Sequence, residues 1–205
     1  AAKQARIKQF VQVSSIGASN NSSYPYLYSK WQGEQEVAQS GLPYTIIQSS
    51  VMFGAGDEFL NIIAAMIRVA PLVPVVGSGR NRLQPIAAED MARCIALAVD
   101  RADLKGKTVE VGGPHQLSYN EIVGIVARTM DKHVLRIHLP VWVMYLVTVA
   151  MRLLPRPPVT TDQLRLLSIR NVAEPDVVEK TFGFTPRPLE GNIDYVRAVG
   201  VRDGL

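Results

Sequence analysis

Residues 10–37, FVQVSSIGASNNSSYPYLYSKWQGEQEV, decide the fold. The stretch opens as a short apolar run, crosses a loop of Gly, Asn and Ser, and enters a helical pattern that carries Tyr26 and Lys30. A continuous apolar run over 10–14 is the mark of a strand covered on both faces, as in a parallel sheet. Pro25 suits the first turn of a helix over 25–39, and Gly41 suits its end.

The same alternation continues downstream. Residues 44–53, YTIIQSSVMF, read as a second buried strand, and 54–57 form a loop that opens a helix over 58–69. Strand, helix, strand, helix predicts an α/β fold, a parallel sheet with right-handed crossovers. Upstream, residues 1–8 read as the last turns of a helix feeding the first strand. Residues 72–76 are extended and closed by Gly77-Ser78-Gly79; residues 88–99 form a helix with Glu89 and Asp90 in the turn where the helix dipole favours them. A strand over 108–111 meets the turn Gly112-Gly113-Pro114, and Ser118 with Glu121 forms a capping box for a helix to 130. A strand over 134–138, a helix from Thr160 and Gln163 to about 167, one capped by Asp176 to 181, and a closing helix over 189–198 complete the pattern. The chain divides into a sheet portion, 1–111, and a smaller mixed portion, 112–205, with a porous boundary.

Composition bounds the function. At 205 residues with 47% hydrophobic and 20% charged content, the chain can bury a sizeable core and is not a disordered sequence. Its net charge of +4 comes from scattered Lys and Arg without interleaved aromatics, which argues against a nucleic-acid groove. Arg80 and Arg82, just after the Gly-Ser-Gly turn, read as a solvated loop that would also face an acidic substrate. Cys94 sits in MARCIALAV at helical apolar spacing, so it reads as a core thiol rather than a nucleophile. As the lone cysteine it forms no internal disulfide, which fits a reducing, cytoplasmic compartment. His115, His133 and His138 have no cysteine or carboxylate to complete a metal site. Residues 139–154, LPVWVMYLVTVAMRLL, fall short of the roughly twenty that a spanning helix needs. They read as a buried helix, or as one lying on the inner face of a membrane through Trp142, Tyr145 and the arginines that follow.

The chemistry gathers on the opening stretch. Tyr26 and Lys30 are four residues apart, so a helix projects phenol and ammonium from one face onto one ligand. An ammonium beside a phenol favours its ionised form, which makes a proton-transfer group out of a weak acid. Ser15 lies at the carboxyl end of the first strand, where parallel sheets bind ligands, and its hydroxyl is placed to orient a substrate oxygen. Taken without its strand and serines, Tyr-x-x-x-Lys describes a packed ring and a solvated lysine equally well.

VSS followed by YLYSK, then YTIIQSSVMFGAGDEF, QPIAAEDMARCIALAV, VEVGGPHQLSYNEIV and FGFTPRPLEGNIDYV resembles the atypical and extended short-chain dehydrogenase/reductases, which include NAD-dependent epimerase/dehydratase-like proteins. Within them the sequence is most similar to the group that includes the NAD(P)H-binding accessory subunit of respiratory complex I. The resemblance implies a Rossmann-type sheet binding NAD or NADP, with NADP slightly favoured, and hydride transfer at a carbonyl or alcohol carbon. It implies Tyr26 as the acid–base residue, Lys30 as its partner and ribose contact, and Ser15 as the substrate-orienting hydroxyl. Val13, Ser14, Ser49, Ser50 and Val51 would flank the nicotinamide. The partner it implies is a small molecule, and the apolar 139–154 run on the substrate side points to a quinone or lipid. The rival expectation is a non-catalytic dinucleotide-binding assembly or regulatory subunit.

Two departures stand out. The sequence holds no GxGxxG or GxxGxxG to cradle a pyrophosphate, so the glycine-loop half of the nucleotide fold is expected to lie outside this chain, as in a fragment. Gln48-Ser49 occupies the place where the family usually carries Arg-Pro.

Overall fold

The computed structural model describes residues 2–5, 7–140, 142–143, 165–166 and 169–200. Its elements run β1 (Phe10–Ser15), α1 (Pro25–Ala38), β2 (Tyr44–Ser49), β3 (Met52–Phe53), α2 (Glu58–Val69), β4 (Leu72–Val76), β5 (Arg82–Leu83), β6 (Ile86–Ala87) and α3 (Ala88–Val99). There follow β7 (Lys107–Val111), β8 (Leu117–Ser118), α4 (Tyr119–Thr129), β9 (Leu135–Leu139) and α5 (Val177–Phe182), with 3-10 turns at Ala102–Leu104 and Asp194–Arg197.

The expected α/β architecture is present. β1, β2 and β7 form a parallel sheet in that order, with Val13 beside Ile47 and Ile47 beside Val109. Because side chains alternate along a strand, each row faces one covering helix. Val11, Val13, Ile47 and Val109 pack with Met91, Cys94 and Ala98 of α3. The other row turns to α1: a Cβ added to Gly33 would meet the Gln12 amide at 3.1 Å, and the Gln48 amide donates to Glu34 at 2.8 Å. Gln48 therefore ties β2 to α1. A second cluster joins Leu60, Ile63 and Ile67 of α2 to Ile122, Val123 and Val126 of α4, with Leu189, Ile193 and Val196 closing it.

Caps follow the sequence at two helices. The Asp57 carboxylate accepts the Leu60 N–H at 2.6 Å to start α2, and Ser118 with Glu121 forms the full capping box of α4. Elsewhere tertiary contacts override local pattern. The run over 44–53 is not one strand: β2 ends at Ser49 and β3 pairs instead with β6. The closing helix shortens to the 3-10 turn Asp194–Arg197, and residues 2–5 form turns, not a helix. Asp176 occupies the N-cap of α5 in a left-handed conformation, φ +57°, with no side-chain cap bond. β9 joins β4 in a separate parallel pair. Most of the expected helices over 139–154 and 160–167 lie outside the described residues.

Cys94 is fully buried against α5 and the sheet. Burial, then the nearby Asp90 carboxylate, pushes its thiol up to about 12, so it is neutral and sheltered. Iodoacetamide at pH 8 is expected to leave Cys94 unmodified in the folded chain and to alkylate it fully in denaturant, as read by mass; rapid native alkylation would contradict this packing.

Candidate functional site

The site begins where β1 ends. Ser14 and Ser15 are both buried, but alternation sends their hydroxyls opposite ways. Ser14 shares the Gln12 row that faces α1, and its Oγ is buried without a hydrogen-bond partner. Ser15 shares the Val13 row that faces α3, and its Oγ donates to the Ile16 carbonyl at 3.3 Å. A buried hydroxyl with no partner costs free energy that a bound polar ligand would recover. Ser14, rather than Ser15, therefore offers a free hydroxyl on the α1 side.

α1 starts at Pro25 without a side-chain cap, which puts Tyr26 in the first turn. Tyr26 is 45% exposed while Leu27, next to it, is buried and anchors the helix. Tyr26 and Lys30 lie on one face of α1, with Lys30 Nζ 5.6 Å from the Tyr26 ring centroid. A cation at that distance from a ring face is held by the ring quadrupole and remains available to an incoming oxygen. Beside the phenol, Tyr24, Pro25, Tyr26, Arg165 and Leu166 line a shallow hollow. The Arg165 guanidinium donates to the Ser23 carbonyl at 3.3 Å, which brings a second cation to the rim. Sequence reading missed Arg165, since 142 positions separate it from Ser23 and no local motif marks it.

Residues after β2 form a hydrogen-bonded junction. Ser50 Oγ donates to the Asn171 side chain at 2.6 Å and accepts the Gln84 N–H at 3.1 Å, while Val51 N–H donates to Asn171 Oδ1 at 3.1 Å. Gln84 continues it: its amide donates to the Gly113 carbonyl at 2.7 Å and accepts the Ala173 N–H at 2.8 Å. Ser49 Oγ reaches the Ser14 carbonyl at 3.4 Å. The hydroxyl of Ser50 is thus committed to the protein, and Val51 contributes apolar surface against the α2–α4 cluster.

A third arrangement braces the loop after β3. The Tyr195 hydroxyl donates to Asp57 and accepts the Gly54 N–H at 3.0 Å. Burial, and then the hydrogen bond that the Asp57 carboxylate accepts from it, hold the Tyr195 phenol far above its ordinary value. The folded phenol keeps its proton more tightly than the unfolded one, so its stabilisation is complete below about pH 10 and is lost as pH rises through the folded value. Tyr195→Phe is expected to cost about 2 kcal/mol at neutral pH, typical of a hydrogen bond to a charged group, and to unfold with a flatter alkaline dependence. Urea titrations at pH 7 and 10.5 would check this; equal loss of stability with pH in both proteins would count against the bond.

Residues 1–173 match the NmrA-like family. The rat protein named NADH dehydrogenase [ubiquinone] 1 alpha subcomplex subunit 9, mitochondrial, is 33% identical over 193 residues, covering 93% of this chain and 51% of its own length. The chain thus spans about half the length of that curated relative. Two solved structures share the fold. A Bacillus cereus UDP-glucuronic acid 4-epimerase in complex with UDP-glucuronic acid and NAD superposes with a TM-score of 0.67 at 16% identity, over 97% of this chain and 64% of its own. An NADPH-dependent quinone oxidoreductase complexed with NADPH from Escherichia coli gives 0.70 at 16% identity, over 95% and 68%. Among the described residues no helix is long and apolar enough to cross a membrane.

Proposed function

The chain belongs to the NmrA-like family, and on that footing we propose that it carries the nicotinamide-facing side of a site that binds NAD or NADP and handles the proton of a hydride transfer. The observation that carries the reading is the Tyr26–Lys30 pair on the helix that covers the carboxyl end of β1. The residues present fit that group: Ser14 Oγ is a buried hydroxyl in need of a partner, and Lys30 is an ammonium suited to ribose hydroxyls. When bound, the dinucleotide supplies or accepts hydride at its nicotinamide. Tyr26 gives or takes the proton at the substrate oxygen through its hydroxyl. Lys30, over the Tyr26 ring, holds sugar hydroxyls. Ser14 orients a polar group on the α1 side, with Val13, Ser15, Ser49, Ser50 and Val51 forming the wall behind it. NADP is slightly favoured by the family likeness; of the two solved neighbours, the epimerase is named with NAD and the quinone oxidoreductase with NADPH. That same neighbour supports an apolar carbonyl substrate of the quinone kind. The compartment expected is the cytoplasm, at the inner face of a membrane, whereas the rat relative is named as mitochondrial.

A second reading has its own observation. Ser15 Oγ is turned to its own backbone and away from α1, so the hydroxyl expected to orient substrate is not offered by that residue. A site that holds dinucleotide without turning it over, as an assembly or regulatory subunit, would tolerate this. Hydride exchange from labelled reduced dinucleotide to a quinone, measured with the whole-length protein, separates the two. Transfer supports the enzyme; saturable binding without transfer supports the subunit. No dinucleotide binding at all would remove both.

A further inference from the structure

We propose that the hollow beside Tyr26 admits a single apolar ring that bears a carboxylate, and that Arg165 is the residue that selects the anion. The inference rests on reading Tyr26 as the substrate-side phenol, and it narrows the quinone-like substrate of that reading to an acidic one. Tyr24, Pro25, Tyr26, Arg165 and Leu166 line a volume of about 160 Å³. That is room for one six-membered ring, since an apolar cavity of ~150 Å³ takes up benzene. Tyr24, Pro25 and Leu166 supply apolar walls, and Arg165 is the one charged group in the lining.

Charge at the hollow has a single sign. From Gln9 to Gly33, which includes β1, the loop after it and the first turns of α1, Lys30 is the only charged residue. The first turn of α1 holds no acid. Glu34, the first acid downstream, is buried on the sheet side, where it accepts the Gln48 amide at 2.8 Å. Lys30 Nζ stands 5.6 Å from the centroid of the Tyr26 ring, so both cations border the phenol. A concave wall of low dielectric lined by one sign of charge concentrates the opposite ion.

Arginine adds shape to that charge. The Ser23 carbonyl accepts Arg165 Nη1 at 3.3 Å, which ties the guanidinium to the loop in front of α1. Its planar fork matches a carboxylate with two parallel N–H···O bonds, a geometry that the ammonium of lysine lacks. A neutral amide of the same size brings one acceptor oxygen and no charge, so the hollow distinguishes the two. A carboxylate held at Arg165 leaves the Tyr26 hydroxyl to a carbonyl on the same ring.

Titration of the whole-length protein with benzoate and with benzamide, followed by ligand-observed NMR, tests the proposal. Benzoate is expected to bind about tenfold more tightly, the worth of a hydrogen bond to a charged group. Arg165→Gln should erase that preference and leave benzamide binding unchanged. Lys132→Gln removes one exposed positive charge that does not line the hollow, and should keep the preference in full. Arg165→Lys retains charge without the fork and should keep only part of it; this variant carries the test if Arg165→Gln fails to fold by circular dichroism. Equal binding of the two ligands, no binding of benzoate, a preference undiminished in the Arg165 variants, or an equal loss in Lys132→Gln would overturn the proposal. A benzoate preference that depends on Arg165 in a protein that transfers no hydride would end the catalytic reading and leave this one standing; hydride transfer without the preference would do the reverse.

Discussion

Tyr26→Phe is expected to reduce hydride-transfer turnover in the whole-length protein by about 10²- to 10⁴-fold, the range set by removing a positioned acid–base group. Dinucleotide affinity should stay nearly constant, because the ring that stacks under Lys30 is kept and only the hydroxyl is lost. Stability should also hold, since Tyr26 is 45% exposed and no described hydrogen bond ends on its hydroxyl. The pattern of loss in kcat without loss of binding identifies a group that acts in the transition state. Serine variants sharpen the assignment. Ser14→Ala should weaken dinucleotide or substrate binding by about fivefold, the worth of one hydrogen bond, while Ser15→Ala should change little because Ser15 bonds its own backbone. Turnover that survives in Tyr26→Phe would end the proton-transfer role.

Gly113→Ala is expected to destabilise the fold by at least about 3 kcal/mol, at the upper end of what overpacking costs. A Cβ built on Gly113 would lie 1.9 Å from the Pro85 carbonyl oxygen, a backbone atom that no rotamer change can clear. Relief would have to lengthen the Gly113 N–H to Gln84 carbonyl bond, now 3.0 Å, and disturb the Gln84 amide that binds Gly113 and Ala173 together. The melting point should fall by roughly 6–12 °C for a chain of this size. Gly41→Ala is the control: its φ is +73° but nothing lies within 4 Å of the added carbon, so only backbone conformation is at stake and about 1 kcal/mol is expected. A loss at position 113 no larger than at 41 would mean that the close approach of the two backbones is not what requires glycine there.

These two residues mark how far the chain can be read without its fold. Tyr26 and Lys30 were legible because helical periodicity is local: four residues in a helix converge wherever the helix is put. Gly112-Gly113-Pro114 was legible only as a turn, since its crowding comes from Gln84 and Pro85, which are far off in sequence, across the junction. The helix starts at Asp57 and Ser118 followed from side chains that cap their own third residue. The break of the 44–53 run did not, because Ser50 and Val51 leave the sheet to bond Asn171, 121 and 120 residues distant. Arg165 at the rim of the Tyr26 hollow and the pairing of β9 with β4 are distant in the same sense.

Local pattern therefore determined the α/β alternation, the bounds of α2, α3 and β4, and the phenol–ammonium pair, since each depends on spacing within a few residues of one element. Tertiary structure alone decided which way each serine at the end of β1 points, because a strand's two faces are set by the helices that cover them: Ser14 turns to α1 with an open hydroxyl, and Ser15 turns away.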